Sequence, residues 1–182
     1  MIHVAPSSLT FPDRRQGGRF PVTDATGTTV ARISTRWTRT SFVASDANDR
    51  VLCEASTAWW GLSPTWRATG PDARAMLSLT TRLMRTSASV HLERGGDFVV
   101  RGSAWRRDFI VTDVDGAPVL TAVPRTSAVS FRQHDYAVVQ TRPVFQLPEI
   151  VALVQIWRMV RKNDAATASG AAGVAATGAV SS

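Results

Sequence analysis

Arginine beside tryptophan is the recurring pair of chemistry-bearing residues in this chain. It occurs at Arg36-Trp37-Thr38-Arg39, Trp66-Arg67, Trp105-Arg106-Arg107 and Trp157-Arg158. A guanidinium next to an indole suits contact with a phosphate combined with stacking or insertion into a headgroup layer. The same dipeptides also arise from a strand alone, where alternation turns Trp inward and its neighbouring Arg outward. Arg36, Arg39, Arg106 and Arg107 are the candidate ligand-binding residues, because they cluster between or just before predicted strands. Arg158, Arg161 and Lys162 read instead as a helix end whose positive charge complements the dipole.

Hydrolytic chemistry needs a nucleophile beside a base. The three histidines are His3, in an N-terminal leader, His91, on the polar face of a predicted strand, and His134, in a turn with Asp135. The His134-Asp135 pair reads as a solvated turn rather than a catalytic dyad. Cys53 lies in a strand beside Leu52 and reads as a buried structural thiol. Zinc spacing, a calcium loop and a phosphate-binding glycine loop are all missing. Gly95-Gly96 and Asp113-Val114-Asp115-Gly116 are explained as turns. The expectation is a protein that is not an enzyme, with no catalytic residue, metal or cofactor.

A length of 182 residues, with 44% apolar and 19% charged side chains, is that of one globular domain with a real core. The net charge of +7 is almost wholly arginine, since Lys162 is the only lysine. Such a balance attracts anionic lipid, an acidic protein or nucleic acid. One cysteine excludes an internal disulfide and a cysteine-rich zinc site. It also fits a reducing compartment. No secretory signal pattern opens the chain. The expected location is cytoplasmic, at most peripheral to a membrane.

The element that must position everything else is Pro148 to Lys162. Pro148 suits a first helical turn and Glu149 suits its dipole. Ile150 to Val160 is apolar in nearly every direction of the helical wheel. A helix apolar all round is enclosed, and this one is too short for the roughly 17–25 residues of a membrane span.

Upstream, short β-rich runs alternate with turns. Six hairpins are predicted: Phe20–Asp24 with Thr28–Ser34, Thr40–Ser45 with Arg50–Ser56, Thr65–Thr69 with Arg74–Thr81, Ala88–Glu93 with Asp97–Arg101, Asp108–Thr112 with Ala117–Val123, and Val129–Gln133 with Tyr136–Thr141. Gly, Asp and Asn at the turns tolerate the positive φ that hairpins need. About twelve antiparallel strands lose their edges by closing into a barrel. A barrel that wide is not filled by its own side chains, so the apolar helix is its plug. The expected fold is mainly β, an antiparallel barrel enclosing one C-terminal α-helix. Residues 1–18 are expected as a flexible leader with at most a short extended piece at Ser8–Phe11. Residues 19–164 form the domain, and 165–182 a disordered Ala/Gly/Ser/Thr tail.

Two hairpins carry a resemblance. Phe20-Pro-Val-Thr-Asp-Ala-Thr-Gly-Thr-Thr-Val-Ala-Arg-Ile33 and Phe109-Ile-Val-Thr-Asp-Val-Asp-Gly-Ala-Pro-Val-Leu-Thr-Ala-Val123 resemble hairpins of LURP-one-related proteins. That group goes with the Tubby C-terminal and phospholipid scramblase domains, and the resemblance spans about Phe20 to Lys162. It implies a twelve-stranded barrel around a C-terminal helix. The Tubby relation implies binding of phosphoinositide headgroups by basic side chains, with no individual position carried over. The cysteine-rich segment and the calcium stretch of scramblases are absent. The leading expectation is therefore a Tubby-like module whose basic face meets anionic headgroups or an acidic partner. The alternative is a protein-interaction or scaffold domain without a small ligand. Nucleic-acid binding ranks third, and a lumen carrier is disfavoured because the helix fills the cavity.

Overall fold

The computed structural model describes residues 8–13, 18–35, 40–58, 64–81, 86–102, 108–125 and 134–161. Twelve strands are β1 (Ser8–Asp13), β2 (Gly18–Asp24), β3 (Thr29–Thr35), β4 (Ser41–Ser45), β5 (Val51–Ala58), β6 (Thr65–Thr69), β7 (Ala75–Thr81), β8 (Ser87–Leu92), β9 (Asp97–Gly102), β10 (Phe109–Asp113), β11 (Pro118–Pro124) and β12 (His134–Gln140). Each pairs antiparallel with its sequence neighbour. β1 also pairs with β12, which closes the barrel. Among the described residues one helix, α1, spans 147–161. The predicted fold class is the one observed.

The five hairpins from β2–β3 to β10–β11 share one turn. In the first, Asp24 N–H donates to the Thr28 carbonyl at 2.9 Å and Gly27 N–H to the Asp24 carbonyl at 3.1 Å. The same two bonds recur in the turns led by Asp46, Gly70, Leu92 and Asp113. The fourth position of each turn has positive φ and is Gly27, Asp49, Ala73, Gly95 or Gly116. This is the three-residue hairpin loop that ends in a left-handed residue. Aspartate side chains reinforce it, with Asp24 Oδ1 accepting from the Thr26 and Thr28 amides and Asp46 Oδ1 from those of Asn48 and Arg50. The polar run D-x-x-G is thereby fixed at one rim of the barrel.

Strand alternation fills the lumen. Phe20, Val22, Ile33, Phe42, Trp66, Leu77, Leu79, Val90, Leu92, Val100 and Val111 all point in, against α1. Every residue from Ile150 to Val160 is buried, as a helix apolar on all sides requires. Gly102 shows how close helix and wall are. A Cβ there would lie 2.9 Å from Cζ2 of Trp157, so only glycine lets the indole rest on β9.

The leader expectation is corrected at residues 8–13. Leu9 and Phe11 are buried and Ser8 and Thr10 only partly so. That alternation makes β1 a full barrel strand, with six residues in register against β12. The predicted sixth hairpin changes with it. Its first arm, Val129–Gln133, lies outside the described residues. His134 and Asp135 are not a turn but the start of β12, opposite Asp13 and Pro12. The proposed tail at 165–182 also lies outside the described residues.

The β1–β2 ladder is short, with only Leu9↔Asp24 and Thr10↔Thr23 in register. Continuing that register sets Pro12 against Pro21, and neither has an N–H to donate. Beside this break, the Pro12 carbonyl accepts from Nη2 of Arg158 at 2.8 Å.

Candidate functional site

α1 enters the lumen at the turn rim, where two polar groups fix it. Glu149, 2% exposed, accepts Nε and Nη2 of Arg94 at 2.6 and 2.9 Å. Its Oε2 also takes the Gln146 amide at 2.7 Å, so it caps the first turn of its own helix. Arg94 is carried by the β8–β9 turn and donates to the Val144 carbonyl as well. At the far end Arg158 is buried, within the last turns of the helix whose dipole its charge complements. Its guanidinium lies 5.6 and 5.4 Å from the ring centres of Phe20 and Tyr136, and it bonds Gln155 Oε1 at 3.2 Å. The barrel is deep enough that the last turn of the helix is still inside it. Aromatic faces and a backbone carbonyl hold the charge there.

With the lumen filled by α1, polar chemistry moves to the rims and the outer wall. Arg36, Arg39, Arg106 and Arg107 lie outside the described residues. The strand ends joined by the segments that carry them are Thr35 with Ser41 and Gly102 with Phe109. These ends belong to the rim opposite the five hairpin turns, the rim toward which α1 runs. On the wall, Arg67 and Arg101 project outward from β6 and β9, and Arg125 follows β11. None of the three has an ion pair among the described residues.

A more compact polar group was not singled out in the sequence. Arg19 on β2 and Arg32 on β3 both reach Oδ1 of Asp49, in the next hairpin turn. Each residue looks ordinary in its own strand or turn, and only the curvature of the wall brings the three together. They line a groove of about 600 Å³ with Pro21 and Thr29.

Cys53 and His91, both weighed for catalysis, have defined surroundings. Cys53 is fully buried, and burial pushes its thiol up to about 12. His91 is exposed, and its Nδ1 lies 2.8 Å from Oδ1 of Asp97. That hydrogen bond raises the pKa of the imidazole. Among the described residues no three His, Cys, Asp or Glu side chains gather as metal ligands, and no helix is long and apolar enough to cross a membrane. His3 lies outside the described residues.

A protein of Arabidopsis thaliana has a similar structure, with TM-score 0.61 and 19% identity over 87% of this chain and 94% of that one. Identity that low speaks for the fold alone. No curated protein matches the sequence. The model of the family described as LURP-one-related matches residues 11–157, from within β1 into the last turns of α1. The match takes in the strand that closes the barrel and the helix that fills it, and the chain belongs to the LURP-one-related family.

Proposed function

We propose that the chain is a non-enzymatic Tubby-like barrel module that binds anionic phospholipid headgroups, or an acidic partner, through basic surface at one rim. One observation carries this reading. The six sequence segments that join the strands at this rim, 14–17, 36–40, 59–64, 82–86, 103–108 and 125–133, hold ten arginines and one carboxylate, Asp108. The arginines are Arg14, Arg15, Arg36, Arg39, Arg82, Arg85, Arg106, Arg107, Arg125 and Arg132. The strand ends that these segments join share one rim. The opposite rim carries the turn aspartates. An end rich in arginine favours approach to negative surfaces.

Vesicle flotation at low salt tests the reading. The full chain is expected to float with phosphatidylcholine vesicles containing phosphatidylserine and not with phosphatidylcholine alone. Recovery should fall as salt rises. Arg36→Glu, Arg39→Glu, Arg106→Glu and Arg107→Glu together should abolish it. Equal recovery with both vesicle types sinks the lipid reading. The second reading, a protein-interaction domain without a small ligand, is favoured by Val123 and Val139, which are 54% and 40% exposed on neighbouring strands β11 and β12.

A further inference from the structure

Arg19 and Arg32 stand on the barrel wall, on β2 and β3, and meet Asp49 of the β4–β5 turn. β2 and β3 pair so that Arg32 stands opposite Pro21, two residues along from Arg19. Both guanidinia face outward and converge on one carboxylate oxygen. Arg32 reaches it at 3.4 Å and fixes itself with a 2.7 Å bond to the Ala47 carbonyl. Asp49 comes from outside this pair of strands, at φ 63, in the turn position that Gly27, Gly95 and Gly116 hold in three sister hairpins.

The charges do not balance, since two guanidinia face one carboxylate. Asp49 is 61% exposed, and exposed ion pairs are weakly held. Planar N–H forks that match a carboxylate also match phosphate oxygens, and a dianion gains from both cations at once. The groove beside them is open, with the Thr29 side in reach. We propose that Arg19 and Arg32 form a binding site for a phosphate-class dianion, and that Asp49 is the internal anion occupying it until such a ligand displaces it. The ligand is either a free phosphate ester or the phosphate of a lipid headgroup.

Inorganic phosphate is titrated into the full chain at constant ionic strength, with chloride as the control, and binding is read by calorimetry. Asp49→Asn removes the competing charge, and Asn accepts the same positive φ. Asp49→Gly serves as the second variant. Both are expected to bind phosphate about tenfold more tightly than the parent. Adding Arg32→Gln to Asp49→Asn should return affinity to the parent level or below. Folded Asp49→Asn and Asp49→Gly proteins that bind phosphate no better than the parent overturn the proposal.

Two further ligands separate the sources. Binding of glycerol 3-phosphate supports a free ester. Binding to vesicles containing phosphatidic acid by the Arg36→Glu, Arg39→Glu, Arg106→Glu, Arg107→Glu variant, lost again on adding Arg32→Gln, supports a headgroup, and binding of neither ligand overturns the site. The rim reading fails separately, through flotation of the arginine variants with phosphatidylserine, which leaves Arg19 and Arg32 untouched.

Discussion

Gly102 and His91 show what single positions contribute. At Gly102 an added methyl meets the Trp157 ring at 2.9 Å, and the ring cannot retreat because Phe109 lies against it at 6.1 Å between centres. Gly102→Ala is expected to lower stability by about 1–3 kcal/mol, the usual range for overpacking, as measured by urea unfolding. A small residue such as Ala88, inward on β8, offers the comparison, since Ala88→Gly lacks that clash. At His91 the partner Asp97 raises the folded pKa above the ordinary 6.5. A raised folded pKa means that the stabilisation is complete below the unfolded pKa and is lost as pH rises through the folded one. The melting temperature of the parent, relative to His91→Gln, should therefore be higher at pH 5.5 and converge with it by pH 8.5. A constant difference across that range would remove the ion pair from the account.

At the scale of elements, the Arg94–Glu149 contact joins the β8–β9 turn to the start of α1. Glu149 is nearly inaccessible, whereas the Arg94 side chain is 44% exposed. Losing the arginine strands a buried carboxylate. Losing both partners does not, so the single change should cost more than the pair. Arg94→Met is expected to destabilise by about 2–3 kcal/mol, less than for a wholly buried pair because water reaches the guanidinium. Arg94→Met with Glu149→Gln should recover part of that. Denaturant midpoints of the four proteins in the cycle give the coupling, and strictly additive losses would show that the two side chains act independently. The helix itself was legible because Ile150 to Val160 leaves no polar stripe. The same reading, taken fully, also encloses Arg158. The dipole argument placed that charge at the helix end without its depth, because local sequence carries no information on the depth of the surrounding wall. The hairpins were legible for a similar local reason, since Asp24, Gly27, Asp113 and Gly116 are turn residues whatever lies around them.

For the whole molecule, the miss at β1 is instructive. Ser8-Leu9-Thr10-Phe11 alternates, but Pro6 and Pro12 flank it, and its main partner is β12, more than a hundred residues away. Turn chemistry cannot choose between a distant N-terminal stave and a nearby run such as Val129–Gln133. Only closure of the cylinder decides that. The Arg19–Asp49–Arg32 group was invisible for the same reason, since it depends on how one hairpin leans across another. The order of closure has a consequence for synthesis. Arg158 donates to the Pro12 carbonyl across 146 positions of sequence, and β12, α1's immediate predecessor, is the strand that clasps β1. A ribosome must therefore release the chain from β1 through β12 before the first stave meets the last. Until then the growing chain has an open seam and an unfilled interior, and pairing of this sequence separation is slow to form and exposes strand edges meanwhile.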